Sequence, residues 1–269
     1  MIGAALVVHS LRRARPLVIV VAVVLAGFQW LMTLAAAALQ SMNAFSQILG
    51  FLPPAFRVLA GSALVPLMSF AGMVTVGYFH LIVLAGLIAL VVGIGTEVAG
   101  ELELRLVDLL LSRPLARGWL VGRTVIVLLV ATLVVLTAMA LGTWTGLLLF
   151  APDGVEWPRA KLVASLIANL AAIMLVWGTI ALAVASVSRR RVVAGSLVSV
   201  LALAAFLVDY LARLWEPMQT IAWLSPFGYV NQLDLLPGQP LPLRDLAVLA
   251  SIAAAATGVA FVAIARRDV

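Results

Sequence analysis

An all-α membrane protein with six transmembrane helices is the expectation from three features of the chain. The first is composition: 65% of the 269 residues are apolar and 10% are charged. Soluble domains run nearer to about 45–50% and 25%, so a soluble fold of this length would leave large apolar patches in water. The second is the spacing of charge. Long stretches without Asp, Glu, Lys or Arg occur at 16–56, 58–96, 124–152, 162–188, 192–208 and 246–265, and a helix crosses the hydrocarbon with about 20 apolar residues. The third is an asymmetry of basic residues. With six spans, twelve arginines (12, 13, 15, 105, 113, 117, 123, 189–191, 266 and 267) fall on the side of both termini, and five basic residues (57, 159, 161, 213 and 244) on the other. The richer side is expected to be cytoplasmic. Together these features exclude a soluble enzyme, a nucleic-acid binder and a disordered chain, despite a net charge of +6.

The spans follow in order. The first is expected at about 17–39, interrupted only by Gln29 and Thr33. Its 23 residues, all but these two apolar, exceed the roughly 7–15 of a signal-peptide core, so a retained span is expected. Before it, Leu6, Val7, Leu11 and Ala14 share one helical face, and His9, Arg12 and Arg13 lie largely on another. That pattern predicts an N-terminal interfacial helix on the cytoplasmic leaflet; a frayed basic tail is the alternative. After the first span the chain turns polar at Gln40–Gln47 and reaches Pro53-Pro54. The other spans are expected at about 72–94, 120–150, 162–187, 192–212 and 246–265. All belong to one transmembrane domain covering 1–269.

Residues 97–123 carry eight charges. Leu102, Leu106, Leu109 and Leu110 recur at helical spacing, Glu101 and Arg105 form an i,i+4 pair, and Pro114 ends the helix. A charged amphipathic helix is therefore expected between spans two and three. It is either a solvated connection or a docking surface for a soluble partner. Polar residues inside spans are rare and mark packing or a pathway. The candidates are Tyr78, His80 and Asn169, with hydrogen bonding between helices the favoured role for the last two. Gly142-x-x-x-Gly146 offers close helix packing, and Asp209 with Arg213 a local ion pair.

The chain is not expected to be an enzyme. A phosphate-binding loop needs Gly-Lys, and the single lysine, Lys161, follows Ala160. With no Cys and only His9 and His80 as histidines, metal and haem sites lack ligands.

Gly100-Glu101-x-Glu103, followed by Asp108, three leucines and Ser112-Arg113-Pro114, resembles the segment after the second span of ABC-2 type permeases, the membrane subunits of ATP-binding-cassette exporters. Leu224-Ser225-Pro226-Phe227-Gly228-Tyr229 is similar to the family's loop before its last span. The ending from Phe261 to Arg266-Arg267-Asp268-Val269 and the Leu52–Arg57 loop are similar as well. Arg105-Leu106 replaces the family's Gly-Thr pair. The resemblance implies that Glu97, Glu101, Glu103, Arg105, Asp108 and Arg113 form a coupling helix seated on an ATPase, with the N-terminal helix beside it. It implies re-entrant segments between spans five and six, where Pro217, Pro226, Pro237, Pro240 and Pro242 break the chain and Trp215, Trp223, Phe227 and Tyr229 suit an interface. It implies ABC ATPase subunits that hold ATP and Mg, no cofactor in this chain, and a second permease subunit, either a copy or a paralogue. It further implies a prokaryotic inner membrane and export of a hydrophobic or amphipathic substrate. The rival expectations are a scaffold or maturation factor and a secondary transporter.

Overall fold

The chain's structure, a computed structural model, describes residues 2–42, 51, 67–104, 118–230, 235–236 and 240–267. No strand occurs among them. Six helical segments there are long and apolar enough to cross a membrane: Leu6–Ser41, Phe70–Glu103, Trp119–Phe150, Ala160–Val187, Arg191–Ala212 and Leu243–Arg266. The protein is a multi-pass, all-α membrane protein. In lipid a helix satisfies its own backbone polar groups, which is why apolar runs of this length become helices.

The first helix, α1, spans Ile2–Ser41 without a break. The N-terminal stretch is therefore not a separate interfacial element, which corrects the expectation from its amphipathic pattern. The facing is as read: Leu6, Val7 and Leu11 are half-buried and Ala14 is buried, whereas His9, Arg12 and Arg13 are exposed. Pro16 lies inside the helix. It removes one backbone donor, a defect that membrane helices tolerate.

The second span is interrupted. Helix α2 (Phe70–Val76) runs into a 3-10 turn at Gly77–Phe79, and α3 (Leu81–Gly95) restarts beyond His80. His80 is extended (φ −61°, ψ 140°), and its side chain accepts the Ile82 N–H at 3.3 Å. It thus caps the new helix, and its ring lies 5.1 Å from that of Phe28 in a tilted arrangement. No hydrogen bond from His80 to another helix is seen among the described residues. After Thr96 the chain continues as α4 (Glu97–Glu103). The rest of the expected amphipathic helix, with Arg105, Asp108, Arg113 and its end at Pro114, lies outside the described residues.

Helices α5 (Trp119–Phe150), α6 (Ala160–Val187), α7 (Arg191–Ala212) and α9 (Leu243–Arg266) match the remaining expected spans. Between α7 and α9 lie the short helix α8 (Glu216–Gln219) and 3-10 turns at Ala222–Leu224 and Pro226–Tyr229. Helix α6 is central and packs against α9, α3, α5 and α7, while α1 runs along α5. Leu87, Leu128, Met139, Leu170, Ile173 and Met174 form the middle of the core. Lipid tails are as apolar as leucine, so close packing rather than water exclusion holds such helices together. Glycine permits it: a Cβ on Gly142 would sit 2.7 Å from the Ala26 carbonyl oxygen in α1, and one on Gly95 would sit 2.5 Å from that of Gly178 in α6.

Candidate functional site

Two regions concentrate polar chemistry. The first is the end of the bundle where α1, α5 and α7 begin and α3, α6 and α9 end. Glu101 turns inward there and accepts a 2.6 Å bond from the Arg123 guanidinium at the start of α5. The two side chains are only 9% and 3% exposed. The i,i+4 expectation pairs Glu101 with Arg105; in the structure its partner comes from another helix. Arg123 Nε is buried without a partner among the described residues, so the Glu101 carboxylate is the anion that offsets this buried cation. Glu97 pairs with Arg13 of α1 at 3.4 Å. Exposed Glu103 accepts the Arg191 backbone N–H at 3.0 Å. That places a carboxylate on the first turn of α7, where unpaired N–H groups and the helix dipole favour negative charge.

Arginines complete the other helix ends. The Arg191 guanidinium donates to the Gly93 carbonyl at 2.9 Å, and Arg267 donates to Ser186 and Ser188 carbonyls at 2.9 and 3.1 Å. The last turn of a helix leaves carbonyls without partners, and cations there are favourable. Each of the six spans is thus tied into this end by at least one charged side chain. Of the expected docking residues, Glu103 is exposed, Glu97 is half-buried with 12% of its side chain exposed, and Glu101 is buried.

The second region lies around the break in span two. Tyr78 Oη and Thr143 Oγ1 are 2.7 Å apart and buried, joining span two to α5. Phe28, whose ring contacts that of His80, sits midway along the charge-free Pro16–Ser41 stretch of α1. The break therefore falls near mid-membrane. Gln29 is fully buried beside it, with both amide atoms unpartnered among the described residues. A Cβ on Gly77 would meet its Oε1 at 2.8 Å. Asn169 is apart from this group: it donates to Ser165 of its own helix at 3.0 Å, and its Oδ1 has no partner among the described residues. The bond between helices expected for Asn169 is not formed there.

Towards the opposite end, a cavity of about 260 Å³ opens between α3, α6, α7 and the Pro226–Tyr229 turn, lined by Phe79, Ile173, Phe206, Tyr210 and Phe227, with Asp209 and Arg213 on its wall. The expected ion pair of Asp209 and Arg213 is present at 3.2 Å. Phe227 is buried, 5.9 Å from Trp177 and 5.6 Å from Phe206. Ser225 donates to the Ala205 carbonyl at 2.8 Å. Ala205 precedes the end of α7 at Ala212, so the turn reaches roughly 10 Å down that helix.

Sequence reasoning missed Gln29 and Arg123 as site residues. Gln29 carries a visible signal, a lone amide in an apolar run. Arg123 carries none that distinguishes it. Comparison with protein-family models finds no match for the chain, and comparison with curated proteins finds none either.

Proposed function

We propose that this chain is the permease subunit of an ABC-type exporter of a hydrophobic or amphipathic substrate. The observation that carries the reading is the charged lattice at the arginine-rich end, where α4 links directly to the ends of the spans. In this reading that end is cytoplasmic, the membrane is a prokaryotic inner membrane, and two permease subunits enclose the path. An ATPase partner docks on Glu97, Glu103, Arg105, Asp108 and Arg113. Glu101 positions α4 through Arg123 rather than touching the partner. Closure of the ATPase on ATP and Mg displaces α4, and the rigid helices carry the shift to spans two and five. The path then opens towards the cavity beside Phe227, where the inserted turn acts as a re-entrant segment. The test is co-purification in mild detergent with partner identification and an ATPase assay. An active ATPase at one copy per permease is the expected result, and a lone permease under gentle conditions refutes the reading. Glu103→Ala with Asp108→Ala should release the ATPase.

One observation favours a second reading, an ion-coupled secondary transporter. Such proteins build sites at broken helices near mid-membrane, and span two is broken at His80 beside the unpartnered Gln29 amide. Transport driven by a proton gradient in vesicles without ATP, and abolished by His80→Ala, would establish it.

A further inference from the structure

Between α1 and α5, on the outer surface of the bundle, runs a groove of about 340 Å³. Its walls are apolar along Val18, Ile19, Val130 and Val134, and Arg12 and Arg15 also line it. Its size lies within the range of roughly 300–1,000 Å³ for small-molecule sites. Both arginines are exposed. Neither has a carboxylate partner among the described residues, whereas Arg13, on the other side of α1, is committed to Glu97. Arg15 is the last charge in α1, and the helix is charge-free from Pro16 to Ser41. The arginines therefore stand at the level where headgroups meet acyl chains, and the apolar walls continue towards the hydrocarbon.

We propose that this groove is a binding site for one anionic phospholipid. An acyl chain lies along Val18, Ile19, Val130 and Val134, and the headgroup phosphate sits between Arg12 and Arg15. The charge decides the occupant. A neutral partner helix would leave two guanidinium groups beside an apolar contact, whereas a phosphate offers them acceptors for charge-assisted hydrogen bonds. A zwitterionic lipid shares the phosphate but adds a cation that the arginines repel. The inference rests on the membrane placement of α1 and holds whether or not the chain exports anything.

The experiment uses the full chain in bilayer discs of phosphatidylcholine and phosphatidylglycerol in equal parts. Photoreactive benzoylphenylalanine replaces Val134, and adducts are weighed by mass spectrometry. The expected adduct is phosphatidylglycerol, in clear excess over phosphatidylcholine. Each arginine near an anionic headgroup favours it about fivefold, so Arg12→Gln with Arg15→Gln should lower the excess by roughly 25-fold. Arg12→Lys with Arg15→Lys should retain most of it. A melting temperature for the glutamine variant equal to that of the parent shows that the loss is not one of folding; if that variant does not fold, the lysine variant and the parent's lipid ratio decide alone. Adducts to a second polypeptide, equal adducts to the two lipids, no lipid adduct, or an excess that ignores both arginines would each overturn the assignment.

Discussion

Removing the Glu101 carboxylate should cost this protein far more than removing a surface charge. Glu101 and Arg123 are 9% and 3% exposed, and their bond is 2.6 Å long. An exposed ion pair contributes about 0–1 kcal/mol. Breaking a buried pair by deleting one partner costs about 3–5 kcal/mol, because the other charge stays desolvated. Arg123 has little room to relax, since its Nε already lacks a partner among the described residues. Glu101→Leu should therefore lower the melting temperature in detergent by roughly 10 °C. Arg123→Met should do the same from the other side. The double variant, Glu101→Leu with Arg123→Met, leaves no charge uncompensated and should come within about 1 kcal/mol of the parent or exceed it. A thermal or denaturant double-mutant cycle measures all of these. Single variants that each cost less than about 1 kcal/mol, or a double variant as damaged as the two singles summed, would refute the reasoning.

The remaining predictions test packing and the inserted turn. Gly95→Ala should destabilise strongly, because its Cβ would lie 2.5 Å from the Gly178 carbonyl oxygen; Gly195→Ala, with nothing within 4 Å, should instead stabilise α7 by up to about 1 kcal/mol, and thermal melting separates the two. Tyr78→Phe should cost only about 0.6 kcal/mol, the average for a hydrogen bond between membrane helices, since Thr143 keeps its 3.1 Å bond to the Met139 carbonyl; equilibrium unfolding in mixed micelles reads it. Phe227→Ala should cost about 3–5 kcal/mol and change the fluorescence of Trp177, the ring 5.9 Å away.

The six spans were legible because hydrocarbon thickness imposes one requirement, a long charge-free apolar run, and a sequence displays that directly. Gly142-x-x-x-Gly146 was legible for a related reason: a missing Cβ is a statement about space, and α1 fills that space. The break in span two was not. No proline marks it, and Gly77, Tyr78 and His80 sit in a run whose hydropathy alone promises a continuous helix. His80 capping Ile82 depends on which chain presses against Gly77, and that is a tertiary fact. The same limit hid the partner of Glu101. Helical spacing offers Arg105 as the nearest opposite charge, but periodicity tells which face a residue occupies and not what covers it. Arg123, 22 residues further on, covers it. For α1, the switch from charged to apolar residues at Pro16 reads as a boundary between elements, whereas the backbone continues through it.

That continuity makes α1 a lever. A helix of 40 residues is about 60 Å long, twice the roughly 30 Å of hydrocarbon it crosses. Arg13, joined to Glu97, and Phe28, its ring 5.1 Å from that of His80, sit on the same continuous helix. About 22 Å of helix separates them, so a tilt of about 10° pivoting at Phe28 would swing Arg13 by about 4 Å. A displacement of that size is enough to part an ion pair. Such a tilt would join movement at the broken second span to the state of the Arg13–Glu97 contact through a single helix.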